Sequence, residues 1–149
     1  MSTATPIPRL TVITLGVDDI RASIAFYEAL GFARKFRATG EAVAFFDTGG
    51  AVLALFPWDQ LARDATLAEQ PRPQGFRGAT LAWNCRTPEE VDLVLEFAVA
   101  KGATLLKAPH RTDYGGYSGY FADPDGHPWE VVVAPGIEVG DDRRVHLPD

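Results

Sequence analysis

The chain has little with which to cross-link itself or to ligate metal through thiolates. One cysteine, Cys85, in 149 residues excludes an intramolecular disulfide framework and any multi-cysteine metal site. It stands in an apolar strand-like run and is expected to be a buried, inert thiol. Histidine is almost as scarce. His110 and His127 lie in loop and turn segments and His146 near the C-terminus, and each is read as an exposed or hydrogen-bonded residue. No stretch approaches about 18 consecutive apolar residues, and residues 1–8 lack a basic region followed by an apolar run. A cytoplasmic protein with no membrane partner is therefore expected. Positive charge is short as well: 14 Lys and Arg stand against 20 Asp and Glu, a net charge of -6. With no basic cluster, nucleic acid is excluded as a partner. There is no His-x-x-x-His pair and no Gly-x-Ser-x-Gly elbow. The run Gly115-Gly116-Tyr117-Ser118-Gly119 lacks the lysine of a phosphate loop and leads into a strand.

What is present is a 46% apolar composition, enough for the core of one domain over residues 1–149. Inside that domain a pattern repeats. Leu10 to Val17 alternates as a strand, Asp18 and Asp19 offer N-cap oxygens, and a helix runs to about Leu30 before Gly31 stops it. In the second half Ala79 to Cys85 is the strand. Thr87-Pro88-Glu89-Glu90 is a capping box with Pro at the first helical position, and the helix runs to about Lys101 with Gly102 as its stop. Val91, Val94, Leu95 and Ala98 recur at helical spacing, as do Ile20, Ile24 and Tyr27.

Three strand-like runs follow each helix: 33–39, 42–47 and 51–56 in the first copy, 103–108, 117–122 and 128–133 in the second. The order is βαβββ twice. Module one covers about residues 8–57 and module two about 77–134, with a linker at about 58–76 that carries a short helix near Asp59 to Leu67. Residues 135–149 read as a solvated tail, because Asp141-Asp142-Arg143-Arg144 has charges of both signs and no periodicity. A four-stranded sheet with one helix has a second face to bury or to use. The fold class expected is α+β, two tandem βαβββ modules forming a concave, half-open mixed-sheet barrel with the helices outside.

Residues 119–130, Gly-Tyr-Phe-Ala-Asp-Pro-Asp-Gly-His-Pro-Trp-Glu, form a strand, a tight turn and a second strand. Asp123-Pro124-Asp125-Gly126 carries turn chemistry at every position. Together with Val12 to Val17, Asp19 and Phe26-Tyr27-Glu28-Ala29-Leu30-Gly31-Phe32, this run resembles the vicinal oxygen chelate superfamily of glyoxalases, bleomycin-resistance proteins and extradiol dioxygenases. The resemblance covers about residues 8–135. It implies a functional concave face whose metal ligands come from the first and last strand of each module. Carried onto this chain, those four positions are Val12, Ala54, Thr80 and Glu130.

Only Glu130 is a good ligand among them, whereas divalent catalytic sites are built from about three His or carboxylate side chains. No metal and no cofactor are expected. A slip of one residue brings Thr11, Ile13, Leu53, Leu55, Ala79 and Leu81, which is no improvement. The remaining polar points of the concave face are Thr14, Thr80, Asn84 and Glu130, with Phe56 on its wall and Tyr114 in a loop, residues 110–116, able to close over it. Strand parity places Trp83, Trp129 and Val131 on the helix side. The expected function is metal-independent binding of an aromatic or cationic small molecule, with those residues as the site and a homodimer as the assembly. The alternative is an enzyme, a lyase, isomerase or dioxygenase, using Glu130 as catalytic acid or base or as part of a metal site located elsewhere.

Overall fold

The structure, a computed structural model, describes residues 4–149. Strand β1 (Val12–Val17) leads into helix α1 (Ile20–Ala29), then β2 (Ala33–Lys35), β3 (Ala44–Asp47) and β4 (Val52–Pro57). Helix α2 (Trp58–Asp64) opens the linker. The second module repeats the order with β5 (Leu81–Asn84), α3 (Pro88–Ala100), β6 (Thr104–Arg111), β7 (Tyr117–Ala122) and β8 (Pro128–Val133). Each module is a four-stranded mixed sheet, ordered β1-β4-β3-β2 and β5-β8-β7-β6. In both, the first strand runs parallel to the last and the other pairs are antiparallel. The α+β architecture of two βαβββ modules is thus the one expected from the repeat.

Local chemistry sets the helix ends. Asp19 caps α1 by accepting from Ala22 N, and Thr87 caps α3 by accepting from Glu90 N. The Glu90 carboxylate reaches back one residue beyond the cap, to Arg86 N at 2.9 Å. Both helices end at glycines with positive φ, +100° at Gly31 and +108° at Gly102, a conformation that costs a side-chain-bearing residue energy.

The two modules pack through their helix-bearing faces. Tyr27 of α1 meets Phe46 of its own sheet and Trp129 of the other, both at 6.0 Å between ring centroids. Phe32, just after α1, meets Trp83 at 5.5 Å and Trp129 at 5.7 Å. Leu53, Leu55, Val91, Leu95, Phe121 and Val131 complete this shared core. Trp83, Trp129 and Val131 therefore lie on the helix side, as parity indicates. The thiol of Cys85 is buried with them.

Five expectations are corrected. The strand expected over 33–39 stops at Lys35, because Phe36 adopts φ +52° and starts a 3-10 turn at Arg37–Thr39. The strands at 42–47 and 79–85 are shorter at their ends, 44–47 and 81–84. His110 is in β6 rather than in a loop, and its Nδ1 lies 3.0 Å from the Ser118 carbonyl across the strand pair. The tail is not simply solvated: β9 (Glu138–Val139) and β10 (Val145–His146) form an antiparallel hairpin. Arg143 pairs with Asp47, Arg144 donates to the Gly49 carbonyl, and Arg86 donates to the Val139 carbonyl and Asp141. That hairpin bridges both modules.

Candidate functional site

Sheet register sorts the candidate residues without further assumption. In module one, Val12 pairs with Val52, Thr14 with Ala54 and Gly16 with Phe56. These six share the face of the sheet that points away from the common core. Thr14 is exposed, Val12 is 42% exposed and Phe56 is half-buried. Trp58 covers one end of this face. A Cβ at Gly16 would stand 2.9 Å from its ring, so glycine is what lets α2 approach. In module two, Ala82 pairs with Glu130 and Asn84 with Val132. Thr80 lies just before β5 and is exposed, as is Ala82, while Asn84 and Glu130 are half-buried. Tyr114 sits in the β6–β7 turn, 57% exposed.

The candidate residues thus form two groups. Thr14 and Phe56 belong to one sheet; Thr80, Asn84 and Glu130 belong to the other. Strands β1 and β5 are each the edge of their sheet, and they are not hydrogen-bonded to one another.

Glu130 has a partner that sequence reasoning missed. Tyr120 lies opposite it on β7, and the phenol donates to Glu130 Oε2 at 3.1 Å. Burial pushes the Tyr120 phenol above its usual range, and the Glu130 carboxylate pushes the same way. The phenol therefore stays a donor at neutral pH. Counting outward from the Asp123–Gly126 turn would have found the pair, since Ala122 faces Pro128 and Phe121 faces Trp129. The arrangement presents a carboxylate, oriented by a phenol, on a partly apolar sheet face. It can orient a cation or a hydrogen-bond donor.

At the four positions the resemblance assigns to metal, Val12 and Ala54 have no lone pair and Thr80 has a neutral hydroxyl. Among the described residues, no group of three or more His, Cys, Asp or Glu side chains converges. The donor chemistry at these positions does not fit a divalent catalytic site.

His127 is hydrogen-bonded into the module interface. Its Nε2 lies 2.7 Å from the Gly16 carbonyl, its Nδ1 3.2 Å from Arg77 Nη2, and its ring stacks on Trp58 at 6.2 Å.

Comparison with known proteins agrees with the fold. A sequence profile of the glyoxalase/bleomycin resistance protein/dioxygenase superfamily matches residues 9–131. The metallothiol transferase FosB of Lysinibacillus sphaericus (strain C3-41) is 30% identical over 118 residues, 79% of this chain and 77% of that protein. A glyoxalase-related enzyme from Fulvimarina pelagi has a crystal structure that superposes with a TM-score of 0.83 at 37% identity, covering 96% of this chain and 100% of that one. A glyoxalase/bleomycin resistance protein/dioxygenase family enzyme from Burkholderia phytofirmans PsJN superposes with a TM-score of 0.77 at 26% identity, over 85% of this chain and 99% of that one. With two βαβββ modules in the structure and the profile spanning both, the chain belongs to the glyoxalase/bleomycin resistance protein/dioxygenase superfamily.

Proposed function

We propose that this chain is a metal-independent small-molecule-binding protein, which takes an aromatic or cationic ligand on the sheet faces that carry Thr14 and Phe56 in one module and Thr80, Asn84 and Glu130 in the other, with Tyr114 at the rim. The observation that carries this reading is the Tyr120–Glu130 pair: the one carboxylate at the four family positions is engaged by a phenol at 3.1 Å, and its three counterparts are Val12, Ala54 and Thr80. Such a carboxylate attracts a cation or a donor group without a metal to share it with.

A homodimer belongs to the same proposal. Among the described residues, the edges β1 and β5 have no hydrogen-bonded strand on their outer sides, and exposed strand edges favour pairing with a second copy. A partner would also enclose sheet faces that a single chain leaves open, and a largely enclosed pocket is what small-molecule binding needs.

The test is elemental analysis of protein purified without added metal, with native mass spectrometry of the same sample. The expected result is a dimer, no stoichiometric transition metal, and a retained small molecule or a ready uptake of aryl ammonium probes. In Glu130→Gln, affinity for such a probe should fall by about 1–3 kcal/mol while the fold survives. Stoichiometric zinc, iron, nickel or manganese would overturn the reading and put a metal-dependent enzyme in its place.

A further inference from the structure

We infer that the chain has a second small-molecule site, in the gap between the two modules, which takes a flat hydrophobic carboxylate. Where the modules meet, the helices leave a cavity of about 570 Å³ that the shared core does not fill. Small-molecule sites have volumes of roughly 300–1,000 Å³. Its walls include Phe32, Leu53, Leu81, Trp83 and Trp129. Val52, Ala82 and Asn84 of the strand edges also line it, so the cavity opens between the edges of the two sheets and borders the Glu130 face at Asn84, while Glu130 itself is not among its walls.

Three aromatic rings on the wall suit a planar body. Phe32 stands 5.5 Å from Trp83 and 5.7 Å from Trp129, so the rings form a connected apolar surface rather than isolated side chains. Offset and edge contacts to a flat ligand add to plain burial there.

The mouth supplies the polar end. The C-terminal hairpin borders it and contributes Arg143 and Arg144 to the cavity lining. Arg144 donates Nε to the Gly49 carbonyl at 2.8 Å, and Arg143 donates Nη2 to Asp47 at 3.3 Å. A guanidinium carries five N–H donors, so both keep donors free for a further acceptor. Asp47 pairs with the Arg143 side chain, whereas Asp142 meets Arg144 through its backbone N at 2.9 Å, which leaves the Arg144 guanidinium as the principal anchor. The one carboxylate in the lining, Glu90, is drawn to the cap of α3 by Arg86 N at 2.9 Å. Surplus donors beside an aromatic wall select a carboxylate over a cation, the reverse of the preference on the Glu130 face.

The hairpin is also suited to open. Its ion pairs to the two modules are exposed, with Arg143 and Asp47 at 60% and 46% and Arg86 and Asp141 at 54% and 104% of full side-chain exposure. Exposed pairs of this kind contribute little, so a ligand can displace them on entry.

The experiment is calorimetric titration of the full chain with 2-naphthoate and with its uncharged methyl ester, alongside quenching of tryptophan fluorescence. The expected result is one naphthoate per chain with quenching, and weaker binding of the ester. Arg144→Gln should weaken naphthoate roughly tenfold or more, the effect of losing a charged hydrogen-bond donor. Leu81→Phe, or Ala51→Phe if the first variant does not fold, should abolish binding by filling the cavity. Glu130→Gln should leave it unchanged, which keeps this site separate from the proposed function. Absence of naphthoate binding, equal affinity for acid and ester, or a loss in Glu130→Gln with none in Arg144→Gln would overturn the proposal.

Discussion

The phenol of Tyr27 donates to Asp123 Oδ2 at 2.7 Å, joining helix α1 of module one to the turn that opens β8 of module two across 96 residues of chain. The same phenol oxygen accepts from Trp129 Nε1 at 3.0 Å. Asp123 is buried, and its other oxygen accepts from Asp125 N and His127 N. One carboxylate thus shapes the turn and receives the other module. Burial, reinforced by Asp123, raises the Tyr27 phenol well above its usual range, so it remains a donor throughout the range in which the protein is handled.

Tyr27→Phe removes that donor and leaves two buried groups short of a partner. It is expected to lower stability by about 1–3 kcal/mol without changing the secondary structure. Urea unfolding with the slope held constant measures it. A loss under about 0.5 kcal/mol would mean that water replaces the phenol and that the module interface does not depend on the bond.

Gly119 on β7 lies under α3. A Cβ there would stand 2.6 Å from Leu95 Cδ1 and 2.8 Å from the Lys107 carbonyl. Leu95 can shift, but the backbone oxygen of β6 cannot do so without disturbing the strand pair. Gly119→Ala is expected to cost about 1–3 kcal/mol through overpacking, read as a lowered melting temperature. Leu95→Ala in the same chain should recover only part of it, because the carbonyl contact remains.

Much of the fold was legible because it rests on chemistry within a few residues. The Asp19 and Thr87 caps, the glycine stops at 31 and 102 and the Asp123–Gly126 turn each act over about one helical turn or less, and together they mark the repeat. The C-terminal hairpin was not legible. Its arginines find acceptors 95 and 96 residues away, at Gly49 and Asp47, and no local periodicity announces that. The candidate site stands between these cases. Parity indicated that Glu130 opposes Trp129 and Val131, but which way each sheet turns in the assembled chain depends on Tyr27, Phe32, Trp83 and Trp129 packing together. That is a property of two modules and not of either segment.

Arg72 ties the linker to module one. Its guanidinium lies 3.8 Å over the Trp58 ring and bonds Asp18 at 2.7 Å. The hydrogen bond from Arg72 holds the Asp18 carboxyl below its usual range. Both groups are well exposed, so Arg72→Ala is expected to cost no more than about 1 kcal/mol in global stability. Its larger effect should be local: cleavage by a protease within residues 66–78 should speed up. Arg72→Lys should restore protection only in part, because an ammonium does not stack on an indole as a guanidinium does. Equal cleavage rates in all three proteins would show that the linker is held by other contacts.

Cys85 gives the chain a pH dependence whose sign can be worked out. The thiol is 2% exposed, and burial pushes it up to about 12, with the Glu90 carboxylate acting in the same direction. In the unfolded chain it ionises near its ordinary value of about 8.5. Below that pH both states hold the proton, and the group adds no pH dependence. Above it the unfolded state loses the proton while the folded state keeps it, so stability falls as pH rises from about 8.5 towards 12, by at most about 1.4 kcal/mol per pH unit. Cys85→Ala abolishes this contribution. Its stability relative to the parent protein should therefore improve progressively between pH 8.5 and 10.5 in urea unfolding, whatever the cost of the smaller side chain at neutral pH. The same burial should keep the thiol unreactive towards a disulfide reagent at pH 8 until denaturant is added. A thiol that reacts at once in the native protein, or a stability difference that does not change with pH, would show that Cys85 is reached by solvent.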